Sequence, residues 1–301
     1  MLSIIVVSYN TKNMTIECLR SVFEQTNNID FELIVFDNAS TDDTADAVET
    51  EFGSKIRLIR SKENLGFAAG NNRAIEGING SLILLLNPDT IVFDRAIEKL
   101  VAFSISEPSN RIWGGRTLFS DHSLNPSSCW SSQTLWSLTC QAVGLSSLFR
   151  KTTIFNPEGI GGWDREGVRE VDIVSGCFFL IEASLWFQLE GFNEDFFMYG
   201  EEADLCLRAK LFGARPIVSS EATIVHYGGA SETVKSDKLK KLIKAKKLLI
   251  VRHFPKVTRS IGQRLLLLWP ATRYLAHSVI AVFSNRSKTK AKVWRAVLFG
   301  K

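Results

Sequence analysis

The sequence predicts an α/β protein: a doubly wound, mostly parallel sheet with helices on both faces, followed by a basic helical extension. Short runs rich in Ile and Val alternate with helical spacing through the first third of the chain, which predicts the sheet. A change from acidic to basic composition near residue 233 predicts the extension. With 301 residues, 45% of them hydrophobic, the chain can bury one large core and carry an appendage.

Four apolar runs are predicted as strands buried on both faces, as parallel strands covered by helices are. They lie at residues 3–8, 31–37, 56–60 and 82–87, with helical spacing between them at 14–25, 42–52 and 68–78. Ser40, with Asp43 three residues later, is a candidate N-terminal cap for the second helix. Right-handed crossovers between such strands produce a doubly wound sheet.

The later part of the chain is less regular. Residues 117–170 predict loops and short helices over one side of the ligand site. Patterning resumes at 171–181, followed by a short helix, a loop at 191–200 and a helix from 201 to about 212. We therefore predict two domains, 1–232 and 233–301.

The cysteines and the first residues favour a cytoplasmic protein. The five cysteines are scattered without a C-x-x-C pair, which is typical of core thiols in a reducing compartment. The segment Met1–Ser8 has no basic n-region, and its apolar run is too short for a signal peptide. We expect it to form the first buried strand.

Polar clusters follow three of the predicted strands, where ligands of doubly wound sheets bind. The clusters are Ser8-Tyr9-Asn10, Asp37-Asn38-Ala39-Ser40 and Asn87-Pro88-Asp89-Thr90. Asp37 could accept hydrogen bonds from a nucleotide base or ribose, or could simply form a turn. Asp89, held by Pro88, suits a divalent cation that bridges a diphosphate, although a turn-closing Asp gives the same pattern.

Two further segments carry candidate binding and catalytic groups. Gly66 and Gly70 allow close backbone approach at the start of a helix, where an anion can bind, but a tight turn explains them equally well. Glu201 and Glu202 open another helix and complement its dipole, or one of them acts as a general base. In that helix Asp204 and Arg208, four residues apart, could form a surface ion pair. His226 is either structural or a metal ligand.

Together these segments resemble the family 2 inverting glycosyltransferases of the GT-A fold, and most closely their bacterial rhamnosyltransferase-like branch. The resemblance spans about residues 3 to 231. It rests on the segments 4–10, 35–42, 64–72, 85–90 and 191–208 and on His226-Tyr227-Gly228-Gly229, in this order and spacing.

The resemblance implies roles for individual residues. It places the nucleotide base and ribose at Tyr9 and Asp37, in a pocket also lined by Asn64, Gly66 and Asn71. It makes Asp89 the second Asp of the family's Asp-x-Asp metal motif, with Asn87 replacing the first, and His226 the second protein ligand of Mn²⁺ or Mg²⁺. Glu202 stands where the family usually carries an Asp base, and Glu201 is the alternative base.

The implied reaction is a single displacement that inverts the anomeric centre. The donor would be a nucleotide diphosphate sugar, possibly of rhamnose, and the acceptor a lipid-linked glycan or polysaccharide of the cell surface. Two alternatives stay open: a sugar nucleotidylyltransferase, although Ser8-Tyr9-Asn10-Thr11 is unlike its glycine-rich basic loop, and a catalytically silent sugar-nucleotide-binding protein.

The basic extension predicts an anionic partner. Residues 235–301 contain 18 Lys/Arg and one acid, which leaves 18 basic and 31 acidic residues in the rest of the chain. Residues 235–250 and 263–283 predict a pair of amphipathic helices at an anionic membrane surface, on the cytoplasmic face of the inner membrane. The alternative is packing on the catalytic domain with a solvated basic face. Nucleic acid is disfavoured, because no recognition motif accompanies the charge.

Overall fold

The structure is a computed structural model and describes residues 1–228 and 234–300. Gly229 of the family resemblance and the predicted domain boundary at 232/233 lie outside the described residues. Contacts divide the chain into two compact units. The sheet unit comprises Met1–Trp130 and Asp164–Ser231, and the helical unit comprises Ser131–Trp163 and Glu232–Lys301. The helical unit thus combines the predicted extension with part of the segment predicted as irregular.

All the strands belong to the sheet unit. They are β1 Leu2–Ser8, β2 Phe31–Asp37, β3 Arg57–Arg60, β4 Leu82–Leu86, β5 Thr90–Val92, β6 Ile112–Leu118, β7 Leu124–Asn125, β8 Cys129–Trp130, β9 Val168–Glu170, β10 Ile173–Val174, β11 Phe178–Glu182 and β12 Ile217–His226. The helices are α1 Lys12–Gln25, α2 Thr44–Phe52, α3 Gly66–Ala74, α4 Ala96–Ser106, α5 Leu135–Val143, α6 Leu145–Leu148, α7 Ala183–Gln188, α8 Glu201–Lys210, α9 Lys235–His253, α10 Lys256–Ile280 and α11 Asn285–Phe299.

The main sheet is mixed but mostly parallel along its first half. Its strand order is β3-β2-β1-β4-β11-β6-β12-β5, with β1 to β4 parallel to one another. β11 runs antiparallel to both β4 and β6, while β12 is parallel to β6 and antiparallel to β5. Because β11 is reversed, its first residues lie beside the carboxyl end of β4, and Phe178 pairs with Leu86. This architecture confirms the predicted fold class.

The four predicted strands of the first third are confirmed to within a residue at each end, and their apolar side chains form the core. The predicted cap of α2 is wrong. The helix begins at Thr44, whose backbone N–H donates to Asp42 Oδ1 over 3.3 Å. Ser40 Oγ is used elsewhere, as it accepts from the backbone N–H of Asn10 at 3.0 Å. All five cysteines are free and buried, as predicted for core thiols.

In the helical unit, α5 packs with the three C-terminal helices around Leu138, Ile250, Leu266 and Trp269. The Leu and Ile stripe of α9 contributes Leu239, Leu242 and Ile243 to this core. The buried Lys246 of α9 forms an ion pair with Glu158. The apolar face of α9 therefore faces its neighbouring helices rather than a membrane surface. Within the described residues, no helix has the length and apolar character needed to cross a membrane.

Candidate active site

The carboxyl ends of β1 and β2 bring Ser8 and Asp37 into direct register. Asp37 is 4% exposed, and its Oδ2 accepts from the backbone N–H of Ser40 at 3.1 Å. Its Oδ1 is buried and has no hydrogen-bond partner in the part of the chain that the structure describes, and the same holds for Ser8 Oγ. An acceptor left over at a strand end is suited to a ligand that donates hydrogen bonds.

Tyr9 and Asn10 continue β1 at the same edge. The Tyr9 ring is 40% exposed, which leaves it accessible for stacking. Asn10 adopts φ 52°, and its Oδ1 accepts from the backbone N–H of Thr41 at 2.7 Å. Asn10 therefore joins the loop after β1 to the loop after β2, and shapes the edge of the site through those loops.

Asn38, at the end of β2, forms hydrogen bonds with the beginning of α3. Its Oδ1 accepts from the backbone N–H of Leu65 at 2.8 Å, and its Nδ2 donates to Gly66 O at 3.0 Å. Asn64 Oδ1 closes a local turn by accepting from the Gly66 N–H at 2.9 Å. The amide groups of Asn38 and Asn64 are thus engaged with backbone, so these residues position the loop.

Position 66 requires glycine because of its backbone conformation and its close contact with the backbone of another loop. It has φ +82°, and a Cβ atom at this position would lie 2.3 Å from the carbonyl oxygen of Phe197. The next residue, Phe67, donates its backbone N–H to that same oxygen at 2.8 Å. The close approach expected at Gly66 therefore joins α3 to the loop at 191–200. Asn71, which is 1% exposed, donates from Nδ2 to Phe67 O at 2.8 Å within α3.

Asp89 and His226 come together at the end of β4. Asp89 Oδ1 lies 3.3 Å from His226 Nε2, and the backbone N–H of Tyr227 donates to Asp89 O at 3.0 Å. The pairing of β12 with β5 produces this contact, because it sets His226 opposite Thr90. Asn87 completes the cluster, with its Nδ2 3.4 Å from His226 Nε2. The structure thus unites the two predicted metal ligands with the Asn of the same motif.

The surroundings of His226 favour positive charge. Burial lowers the pKa of His226, but Cys177 and Asp89 outweigh burial and raise its pKa to about 10. His226 Nδ1 and Asn87 Oδ1 are buried and lack hydrogen-bond partners among residues 1–228 and 234–300. A carboxylate, an imidazole and a spare amide oxygen are donors that fit Mn²⁺ or Mg²⁺. No cluster of three or more His, Cys, Asp or Glu side chains suited to a metal occurs in those residues.

Glu201 and Glu202 begin α8 after two residues with positive φ, Tyr199 and Gly200. Burial, followed by the charge of Glu202, raises the pKa of Glu201 well above its ordinary value. Burial also raises the pKa of Glu202. Glu201 Oε2 and Glu202 Oε2 are both buried without a hydrogen-bond partner in the described chain. Carboxylates with raised pKa are stronger bases, which suits proton abstraction.

Glu202 lies near the segment that precedes β11. A Cβ atom on Gly176 would lie 3.9 Å from Glu202 Cβ. The neighbouring Cys177 accepts the backbone N–H of Asn87 at 3.1 Å through its carbonyl oxygen. Gly176 and Cys177, which immediately precede the reversed strand β11, therefore connect the candidate base to the candidate metal ligands.

Asn72, to which the sequence analysis gave no role, and Arg208 hold the loop before α8. Asn72 Oδ1 accepts from the Phe192 N–H at 2.9 Å, and its Nδ2 donates to Phe192 O at 2.9 Å. Arg208 donates to the carbonyl oxygens of Leu189 and Gly191 at 2.7 and 2.8 Å.

The predicted surface pair of Asp204 and Arg208 is wrong in one respect. Asp204 is 0% exposed, so the 2.7 Å ion pair with Arg208 Nε is partly buried. The i, i+4 spacing could reveal the pair but not its burial. Asn72, in contrast, carries no pattern in the sequence, because its partner Phe192 lies 120 residues away.

Comparison with known proteins agrees with this arrangement. The family model described as Glycosyl transferase family 2 matches residues 3–168, more than half of the chain. The chain belongs to glycosyl transferase family 2. This confirms the family that its motifs resemble. The family 2 match includes Asp37 and Asp89 but ends before α8 and His226, so the candidate base and second metal ligand rest on geometry.

Two curated relatives that carry glycosyltransferase names match parts of the chain. The low-salt glycan biosynthesis hexosyltransferase Agl10 of Haloferax volcanii is 26% identical over 213 residues, which cover 69% of this chain and 61% of that protein. The putative glycosyltransferase EpsE of Bacillus subtilis is 34% identical over 104 residues, 34% of this chain and 37% of EpsE. The chain thus spans less than two thirds of the length of these curated relatives.

The fold likeness extends further along the chain. The mannosyltransferase PcManGT from Pyrobaculum calidifontis, solved in complex with GDP-Man and Mn²⁺, superimposes with a TM-score of 0.59 at 16% identity. That match covers 100% of this chain and 87% of PcManGT. Residues 1–349 of S. aureus TarS give a TM-score of 0.55 at 16% identity, covering 99% and 90% of the two chains. At this identity the likeness shows the fold alone.

Proposed function

We propose that the protein is a metal-dependent, inverting hexosyltransferase that uses a nucleotide diphosphate sugar in glycan biosynthesis. The observation that carries the proposal is the contact of Asp89 with His226 at the carboxyl end of β4. β4 belongs to the same sheet as β1 and β2, and the carboxyl ends of β1 and β2 carry Ser8 and Asp37. A nucleotide site and a cation site at one sheet edge are the arrangement that such a donor requires.

The nucleotide would bind at the ends of β1 and β2. The buried Oδ1 of Asp37 would accept from a base N–H or a ribose hydroxyl, and the exposed ring of Tyr9 would stack on the base. Asn38, Asn64 and Gly66 would shape this pocket by holding the loop that begins α3. Asn71 would act in the same indirect way, through its bond to Phe67 O.

A divalent cation would be held by Asp89 and His226, beside the amide of Asn87. When bound, it would neutralise the charge that develops on the departing nucleoside diphosphate. The solved complex of PcManGT with GDP-Man and Mn²⁺ supports this part of the proposal.

The acceptor hydroxyl would lose its proton to Glu202, with Glu201 as the alternative base. Both carboxylates are buried at the start of α8, and burial raises the pKa of each. A single base on the face opposite the leaving group gives one displacement with inversion. The side chain of Glu202 is longer than that of the family's usual Asp. It would reach the hydroxyl from the start of α8, and Asn72 and Arg208 hold the loop before this helix in place.

A donor screen with product analysis tests the proposal. The full chain is incubated with UDP-, GDP- and dTDP-linked hexoses, including dTDP-rhamnose, each with Mn²⁺, Mg²⁺ or EDTA. We expect one donor to be consumed only with a cation, and NMR of the product to show the inverted anomer. Tight donor binding without consumption would establish the silent binding protein instead. Formation of a nucleotide sugar from a sugar phosphate would establish the nucleotidylyltransferase.

A further inference from the structure

The helix α10 presents apolar residues on two opposite faces. One face is buried in the helical unit through Gly262, Leu266, Trp269 and Pro270. The other is a stripe whose members are 49–84% exposed: Val257, Ile261, Leu268, Leu275 and Val279. These positions recur at intervals of four and seven residues, which places them on one side of the helix. We call this set the α10 stripe. It runs along most of a helix about 37 Å long.

Positive charge is present on the stripe side of α10 and throughout the helical unit, and the exposed Arg264 lies within the α10 stripe, three residues after Ile261 and four before Leu268. The helix α11 packs beside α10, with the rings of Trp269 and Trp294 5.4 Å apart. It exposes five basic side chains, Arg286, Lys288, Lys290, Lys292 and Arg295. The sequence holds no Asp or Glu from 238 to 301, and the helical unit as a whole has 20 Lys/Arg against three Asp/Glu. A long apolar stripe beside uncompensated positive charge needs a partner that is both apolar and anionic.

We infer that the α10 stripe docks the protein on the surface of an anionic lipid bilayer, with Arg264 at the headgroups and the positive charge of the helical unit adding to the attraction. The charge excludes a second copy of the helical unit as the natural partner, because the two copies would repel each other. Nucleic acid would neutralise the positive charge of the lysines but would leave the α10 stripe exposed to water. The bilayer surface satisfies both features, since apolar side chains enter the acyl boundary while basic ones stay at the headgroups.

Vesicle sedimentation with matched variants tests the inference. The full chain is mixed with vesicles of phosphatidylcholine alone or with added phosphatidylglycerol, across a salt series. We expect binding only to the anionic vesicles, weakened as salt rises. The double variant Leu268→Asp/Leu275→Asp should bind at least about tenfold more weakly, because charged side chains cannot enter the acyl boundary. Replacing Arg264 by Gln should weaken binding about fivefold at low salt, because this charge lies within the docking face.

The control is Ile105→Asp, which changes an equally exposed apolar residue in α4 of the sheet unit and should bind vesicles like the unchanged protein. Circular dichroism and nucleotide binding confirm that each variant is folded.

Three results would overturn the inference: no binding to anionic vesicles, binding unaffected by the Leu substitutions, or a dimer that these substitutions dissociate in the absence of lipid. Retention of RNA by both the unchanged protein and the Leu variant, without vesicle binding, would assign the surface to nucleic acid. Donor consumption is measured separately, so a failed docking surface leaves the proposed activity standing.

Discussion

Asp89 Oδ1 and His226 Nε2 lie 3.3 Å apart at the end of β4, although they come from distant parts of the chain. Strand pairing brings the two residues together, because β12 pairs with β5 and places His226 opposite Thr90. In the absence of a cation, Cys177 and Asp89 raise the pKa of His226 to about 10, which favours the protonated imidazole. A metal at this position has to displace that proton, so binding of metal and of proton should compete.

Replacing Asp89 with Asn should therefore abolish metal-dependent transfer. We expect the transfer rate to fall by at least about 100-fold and the Mn²⁺ affinity to fall with it, because a charged oxygen ligand is lost. Isothermal titration with Mn²⁺ and a transfer assay measure the two effects. In the metal-free protein, NMR titration should show a lower pKa for His226 in the variant, since Asp89 raises it. Asp30→Asn, an exposed carboxylate of the sheet unit, is the control. A variant with unchanged Mn²⁺ affinity would remove Asp89 from the metal site.

Replacing Asp37 with Asn should weaken donor binding while leaving metal binding intact. The buried Oδ1 of Asp37 is available to a ligand, and hydrogen bonds to a charged acceptor contribute about 1.5–3 kcal/mol. We therefore expect the Kd for the nucleoside diphosphate to rise about tenfold or more. Asp43→Asn is a matched control, because Asp43 is exposed and Asn tolerates its left-handed backbone conformation. Equal nucleotide affinity in the Asp37 and Asp43 variants would count against the pocket.

Glutamine at position 202 should separate chemistry from binding. Glu202→Gln keeps the size of the side chain but cannot take a proton, so we expect turnover to fall about 10²–10⁴-fold with donor affinity unchanged. Glu201→Gln should retain most of the turnover if Glu202 is the base. The reverse result would assign proton abstraction to Glu201. Pre-steady-state measurement with saturating donor keeps product release out of the comparison.

The raised pKa of Glu201 also predicts how stability depends on pH. In the unfolded chain Glu201 has its ordinary pKa of 4.5, whereas burial and Glu202 raise its pKa in the folded protein. The folded state therefore holds the proton more tightly, and stability is lost as pH rises from 4.5 through the folded pKa. Glu201→Gln removes this loss. The melting temperature of the variant, relative to that of the unchanged protein, should therefore increase as pH rises from acidic to neutral. Parallel melting curves for the two proteins across this range would contradict the assignment.

The first half of the sheet was predictable because its signals are local. The runs that became β1, β2 and β4 are apolar throughout, which is typical of strands buried on both faces. The polar residues that follow them had to share one edge, since all three strands are parallel. The positions of Ser8, Asp37 and Asn87 follow from that pattern alone.

The reversed strand β11 was not predictable from periodicity. A short apolar run such as Phe178–Glu182 gives the same pattern in either direction, and only its pairing with both β4 and β6 fixes the orientation. That reversal brings Cys177 to Asn87 and His226, so Cys177 went unnoticed as a neighbour of the metal ligands. For the same reason the apolar stripe of α9 was predicted to face a membrane, because amphipathic spacing does not identify what covers the apolar face.

The contact between Gly66 and Phe197 leads to a last prediction about the loop that precedes the candidate base. A Cβ atom at Gly66 would lie 2.3 Å from the Phe197 carbonyl oxygen, which requires the loop to move. Gly66→Ala should therefore destabilise the protein by about 3 kcal/mol, from overpacking added to the left-handed backbone. Gly213→Ala is the matched control, because Gly213 has a similar φ of +81° but open space around it. It should lose only about 1 kcal/mol.

The kinetic effect of Gly66→Ala should exceed that of its control as well. Displacing Phe197 shifts the chain that leads to Glu201 and Glu202, while Asp89 and His226 stay on separate elements of the sheet. We expect turnover to fall with metal affinity unchanged, measured at a temperature where both variants are folded. Denaturant unfolding gives the stabilities, and the transfer assay gives the rates. If Gly66→Ala loses no more stability or turnover than Gly213→Ala, the loop is free to move and the contact with Phe197 does not position the base.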